Sequence, residues 1–230
     1  MTTEASQIAA NIVSLRERIG LAAARAGRQP DEVRLVAVSK TVAADLVAAA
    51  IEAGVCDFGE NRSQLFCERA AAFPGQDWHF IGRIQSNKVK DFAGRAALVH
   101  SVASEKALRC ISEKAQALGE VQKCLIEVNT SGEASKDGVR PAELPQLLDA
   151  AVAFAAVKVV GLMTMAPIAP ESVVRQTFAA LRELRDSMSS CYSGHGNVEL
   201  HELSMGMSDD FEIAIEEGAT IVRIGRSVWL

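Results

Sequence analysis

An α/β barrel closed by eight parallel strands is the fold this sequence predicts, and three observations carry the prediction. Apolar runs of strand length recur eight times along the 230 residues, helical runs separate them, and no Pro/Gly/Ser-rich linker or shift in composition divides the chain. Alternation of strand and helix requires parallel pairing through right-handed crossovers. Eight such units in this length favour closure over an open sheet, because a closed barrel leaves no exposed edge. The expected architecture is a single-domain TIM (β/α)8 barrel over residues 1–230, with an additional N-terminal helix at 1–27 and the barrel proper at 33–228.

The elements follow in order. Segment 4–26 repeats Ile8, Ile12, Leu15 and Ile19 at helical spacing and is stopped by Gly27. Strands are expected at 33–38, 55–58, 77–81, 97–102, 122–128, 157–163, 199–204 and 221–224. Between them lie helices such as 42–53, closed by Gly54, and 171–188, where Val174, Phe178, Leu181 and Leu184 share one face. The chain stops soon after the eighth strand without the usual last helix, so the amino-terminal helix is expected to cover that flank. Segment 132–138 is the expected mobile loop, and 189–196, with two glycines, is a second.

A formal charge of −5 gives no general attraction to nucleic acid or anionic membranes, although Arg83, Lys88 and Lys90 form one small basic cluster, read as a solvated rim. No window approaches the roughly 18 apolar residues of a membrane span, and the amino terminus lacks a secretion signal, so a cytoplasmic protein is expected. Five cysteines without a CxxC pair argue against a disulfide framework and a zinc knuckle, and read as reduced packing residues. His79, His100, His195 and His201 show no metal-ligand spacing, and no metal is expected.

The run Val33-Arg34-Leu35-Val36-Ala37-Val38-Ser39 ends on Lys40. Strand carboxyl ends face the ligand crevice in barrels, so this amine is expected at the mouth. In a partly dry mouth an amine loses proton affinity and attacks carbonyls, which makes Lys40 a candidate Schiff-base former. A lysine that snorkels from the strand end to water is the plain alternative. Ser204-Met205-Gly206-Met207-Ser208 follows the seventh predicted strand and Gly225-Arg226-Ser227 the eighth, the two positions from which barrels frequently build a phosphate site. Small residues let backbone N–H groups approach an anion, and the hydroxyls of Ser204, Ser208 and Ser227 add donors; turn and helix-cap chemistry is the alternative. Asp209 and Asp210 must then point to the helix start or to solvent, since carboxylates repel phosphate.

Alternation aims Arg223, between Val222 and Ile224, into the barrel mouth, where its guanidinium needs an acceptor: a protein carboxylate or a cofactor's ring nitrogen. An aldehyde, a phosphate and a heteroaromatic nitrogen in one ligand describe pyridoxal 5′-phosphate. Asn61 either bonds a ligand hydroxyl or caps the next helix. His79 is expected at the mouth, with a satisfied core histidine as the alternative, and Asn129 is placed similarly. Met163 and Met165 are apolar walls against a ring or core filling.

In their order and spacing, AVSKT around Lys40, FGEN ending at Asn61, WHFIGRIQSNK from Trp78 to Lys88, VN at Asn129 with Glu133, Lys136 and Gly138, GLM ending at Met163, LSMGMS with Asp210, and VRIG ending at Gly225 are highly specific. The chain resembles, over about 33–228, the pyridoxal-phosphate homeostasis protein family, single-domain relatives of the alanine racemase barrel. The resemblance implies pyridoxal 5′-phosphate held as an internal aldimine on Lys40, with its phosphate gripped by the SMGMS and GRS segments. It implies a role in buffering or delivering the cofactor, with effects on amino-acid and keto-acid balance, and dependent apo-enzymes as partners. Arg62, Arg226 and the Trp229-Leu230 ending depart from the family pattern. A carrier is expected over an enzyme. Two-domain racemases draw a second acid/base, a tyrosine, from outside the barrel's own domain, whereas the one tyrosine here, Tyr192, lies outside every motif. An Arg223 contact to the pyridine nitrogen would also weaken the electron sink. A slow amino-acid racemase is the alternative, and the expected state is a monomer or weak dimer.

Overall fold

In the computed structural model, which describes residues 3–133 and 136–230, helix and strand alternate around a closed barrel. Helix α1 (Thr3–Arg25) precedes strand β1 (Arg34–Val38), α2 (Ala44–Glu52), β2 (Asp57–Glu60), α3 (Ser63–Ala72), β3 (Asp77–Phe80), α4 (Val89–Phe92) and β4 (Leu98–Val102). The second half continues through α5 (Glu105–Ala117), β5 (Gln122–Glu127), α6 (Leu144–Val152), β6 (Val157–Met163), α7 (Glu171–Cys191), β7 (Val198–Ser204), α8 (Phe211–Glu216), β8 (Ile221–Ile224) and α9 (Arg226–Trp229). Each strand pairs in parallel with the next, and β8 returns to β1 through Arg34↔Ile221 and Val36↔Arg223. The barrel the sequence predicts is therefore the barrel the chain forms.

Strand alternation separates two buried layers. Val36, Leu98, Leu125, Val160, Met163 and Ile221 fill the lumen, while a larger cluster, including Phe58, Phe80, Phe92 and Phe178, lies between the sheet and its helices. Phe80 and Phe92 stack 3.9 Å apart in that outer layer, and Phe58 and Trp78 at 5.1 Å. Gly161 marks a point where the wall is tight. A Cβ there would come within 2.0 Å of the Glu202 carbonyl oxygen on β7, so β6 can approach β7 only with glycine.

Two expectations shift. The second strand is Asp57–Glu60, two residues beyond the expected 55–58. A search for apolar runs selects Val55, which packs in the outer core, and passes over a strand whose lumen side carries Asp57 and Gly59. A last helix does exist: α9 is one turn long, and α1 packs against it, α2 and α8, closing the flank as expected. Of the cysteines, Cys124 is a buried packing residue, with burial pushing its thiol well up, and the partly buried Cys67 and Cys110 pack against the core. Cys56 and Cys191 are exposed, because they lie in the loop before β2 and at the surface end of α7. Among the described residues no helix is long and apolar enough to cross a membrane, and no three His, Cys, Asp or Glu side chains are grouped as metal ligands would be. The expected mobile segment 132–138 includes Ala134 and Ser135, which lie outside the described residues.

Candidate functional site

The mouth is built from the carboxyl ends of the strands. Lys40 follows β1 at the parity of the inward-facing Val36, and Thr41 next to it takes a left-handed φ of 66°, which turns the chain out of the sheet. The Lys40 side chain is exposed, so the dry surroundings expected for it are not supplied by the protein. The loop that carries it is braced from beneath. Ser39 Oγ donates to Glu60 Oε1 at 2.5 Å, and Arg69 of α3 donates to the Val42 carbonyl. Among the described residues Glu60 Oε2 and Arg69 Nε have no hydrogen-bond partner, and burial raises the Glu60 carboxyl above its ordinary range. This brace is invisible in the sequence, because Glu60 sits on the outward face of a strand otherwise apolar there.

The loops after β7 and β8 meet on the same rim. Ser227 N–H points at Ser208 Oγ at 3.4 Å, and Arg223 N–H bonds the Gly206 carbonyl at 3.0 Å. Gly206, at φ 95°, lies so close to α8 that a Cβ would fall 2.6 Å from the Ala214 methyl. The backbone N–H groups of Gly206, Ser208 and Gly225 have no acceptor among the described residues. The two aspartates are directed as electrostatics requires: Asp210 accepts from Met207 N–H at 2.6 Å, and Asp209 pairs with Arg226 in solvent. Met207 is exposed beside them.

Ser204 is the exception in this group. It is fully buried, and strand parity turns its hydroxyl into the lumen, where it meets Arg223 Nη1 at 2.5 Å and His100 Nδ1 at 2.9 Å, not toward the rim donors. Arg223 does enter the lumen, 5% exposed, with Nη2 on the Thr164 carbonyl at 3.0 Å. Burial pulls it down to about 10, opposed by Glu127 and Asp210.

His79 is not a mouth residue. It is buried in the lumen toward the amino ends of the strands, between His100 and Asp57. Its strand is short, so its second lumen position, after Asp77, falls below the rim. Asn61 is exposed at the rim and does not cap α3, whose N-cap position is Arg62. Asn129 is occupied by its own loop, accepting from Ser131 Oγ and Gly132 N–H and donating to the Glu133 carbonyl at 2.8 Å. Met163 is 2% exposed and fills the lumen core, while Met165 is partly exposed. Trp229 of the divergent ending donates its indole N–H to the Val38 carbonyl at 2.7 Å, tying α9 to the strand before Lys40.

Glu127 was passed over in the sequence. It is paired in register with Met163, so its side chain enters the lumen at the mouth end, 5% exposed and without a hydrogen-bond partner among the described residues. Burial, with Asp137 adding to it and Arg223 opposing, pushes its carboxyl up to about 7. A carboxylate in an apolar strand, LIEV, is the one signal that could have found it. Tyr192, by contrast, ends α7, with its hydroxyl on the Pro145 carbonyl at 2.9 Å and Asp149 at 2.6 Å, away from the mouth.

The family model described as alanine racemase, N-terminal domain, matches residues 7–230. Among curated relatives, a pyridoxal phosphate homeostasis protein of Aquifex aeolicus is 46% identical over 213 residues, 91% of each chain. The chain belongs to the pyridoxal phosphate homeostasis protein family. Another member of this family, from Pseudomonas aeruginosa, is 44% identical over 228 residues, covering 97% of this chain and 95% of that one. PipY of Synechococcus elongatus, solved with PLP bound, superposes with a TM-score of 0.82 at 32% identity, over 97% of this chain and all of that one. Family membership thus agrees with the resemblance carried by the motifs.

Proposed function

We propose that this chain binds pyridoxal 5′-phosphate at the barrel mouth and buffers or delivers it as a homeostasis protein. The carrying observation is the meeting of the β7 and β8 loops, with three N–H groups unpaired among the described residues, on the rim that also bears the exposed amine of Lys40. Those donors fit a phosphate dianion, and Gly206 lets the loop lie against α8, so the group's shape and charge agree with the residues present. When bound, the cofactor supplies an aldehyde carbon that condenses with an amine, releasing water.

The chain's own residues divide the work. Lys40 contributes the amine and holds the ligand by a reversible imine at Nζ. Gly206, Met207, Ser208, Gly225, Arg226 and Ser227 form the phosphate rim, with Arg226 restraining Asp209 and Asp210 committed to its own loop, so neither carboxylate opposes the anion. Arg223 is a donor without a lone pair, so it offers N–H to a ring nitrogen and keeps that nitrogen unprotonated. Asn61 stands at the rim to meet a ring substituent. An unprotonated ring is a poor electron sink, and Tyr192 is tied to α6, which together favour storage and transfer over turnover. Delivery to dependent apo-enzymes, and through them an influence on amino-acid and keto-acid balance, follows from that role.

Purified protein mixed with pyridoxal 5′-phosphate should develop an imine absorption band that Lys40→Ala abolishes entirely; a band that survives in the variant removes Lys40 from this role. Transfer to an apo-enzyme in the presence of a trap for free aldehyde separates direct delivery from buffering. Glu127 favours a second reading, a slow amino-acid racemase, because a buried carboxyl near 7 at the mouth is suited to proton transfer. Solvent-deuterium incorporation at the α-carbon of free amino acids, lost in both Lys40→Ala and Glu127→Gln, would establish it.

A further inference from the structure

Five side chains are joined in series through the lumen. Arg223 Nη1 lies 2.5 Å from Ser204 Oγ, Ser204 Oγ 2.9 Å from His100 Nδ1, His100 Nε2 2.8 Å from His79 Nδ1, and His79 Nε2 3.1 Å from Asp57 Oδ1. His79, His100 and Ser204 are fully buried. The chain begins at the mouth, and its other end reaches a cleft of roughly 480 Å³ at the barrel floor, lined by Arg34, Asp57, Lys158 and Glu202.

The end groups dictate its sense. A guanidinium only donates and a carboxylate only accepts. Ser204 Oγ therefore accepts from Arg223 and turns its own proton to His100 Nδ1. His100 must then carry its proton on Nε2 and give it to His79 Nδ1, and His79 must carry its own on Nε2 and give it to Asp57. The opposite sense would set a lone pair of His79 against the Asp57 carboxylate unless an extra proton entered at the floor. Burial, reinforced by His79, holds His100 well below the ordinary histidine range, in keeping with a neutral ring.

We infer that Asp57, His79 and His100 are positioning residues whose one-way chain fixes the Ser204 hydroxyl, and through it the guanidinium of Arg223, in the orientation that meets the cofactor ring. The inference rests on the cofactor reading for its consequence but not for its geometry. Arg223 is pinned at two points, Ser204 Oγ and the Thr164 carbonyl, and a hydroxyl free to rotate could present its proton to Arg223 and lose the first. His100 removes that freedom, His79 selects the tautomer of His100, and Asp57 selects that of His79. Because His79, His100 and Ser204 are fully buried, a break at any link is felt at the next.

Nitrogen-15 NMR of the full chain without cofactor tests the geometry. Both rings should show a protonated Nε2 and a bare Nδ1, with a coupling across the hydrogen bond between His100 Nε2 and His79 Nδ1. A protonated Nδ1 on either ring, or no such coupling, overturns the inference whatever the cofactor does. Titration with pyridoxal 5′-phosphate tests the consequence. His100→Leu and Asp57→Leu should each bind about tenfold more weakly, while still forming a borohydride-reducible adduct on Lys40. Asp57→Asn, whose amide oxygen still accepts, should recover wild-type affinity. Unchanged affinity in both leucine variants, or no recovery in Asp57→Asn, overturns the positioning role. Failure of the wild type to bind at all would instead sink the cofactor reading and leave the NMR result standing.

Discussion

Arg34, where β1 begins, lies 3.7 Å from Asp57 and 3.6 Å from Glu202, whereas Lys40, just past the other end of the same strand, has no carboxylate within ion-pair distance among the described residues. Lys158 likewise meets Glu199 at 2.8 Å near the floor, while Glu127 enters the lumen at the mouth without a hydrogen-bond partner among the described residues. The contrast teaches how a barrel divides its labour. Arg34 and Lys158 at the amino ends of their strands are neutralised by carboxylates and serve the fold, whereas Lys40 and Glu127 at the carboxyl ends have no ion-pair partner among the described residues.

That contrast can be broken or sharpened. The largest effect is expected at the wall common to both ends. Gly161→Ala should destabilise the protein by about 3 kcal/mol, because backbone on β7 must move to admit the methyl group. Urea unfolding measures it, and a cost below about 1 kcal/mol would mean that the strands part easily. Next comes Glu127. Its carboxyl is raised from 4.5 to about 7 in the folded state. Below the lower value both states hold the proton; between the two the unfolded chain releases it first, so stability falls as pH rises, and the loss is complete above the upper value. Glu127→Gln should therefore match wild type near pH 4 and exceed it by up to about 3 kcal/mol at pH 8. A variant less stable than wild type at pH 8 would show that the carboxylate is paired. The smallest effect belongs to the floor: Lys158→Ala should cost about 0.5 kcal/mol or less, being a half-exposed pair, and leave cofactor affinity unchanged.

The fold was legible because its signals are repetitive. Apolar runs separated by amphipathic helices recur often enough that missing one boundary, as at Asp57–Glu60, does not disturb the topology. Within the candidate site, the rim positions of Lys40 and of the loops after β7 and β8 were legible because each sits at a strand end, where parity and position in the chain suffice. What escaped was set by depth. Ser204 and His79 share the residue chemistry of mouth groups, yet both belong to the interior, and a short strand gives no sign of how far below the rim its lumen position falls. Glu60, Glu127 and Arg69 escaped for a related reason: their importance lies in having too few partners, and partners are fixed by tertiary packing.

Closure of the barrel also has a temporal side. β1 is made early but finds its second neighbour, β8, only when residues 221–224 have left the ribosome. Until then the strand leading to Lys40 keeps one bare edge, and a contact of such sequence separation forms slowly. A nascent chain thus has no finished barrel mouth until β8 has emerged, and any chaperone that shields β1 meanwhile would also govern when that mouth is first assembled.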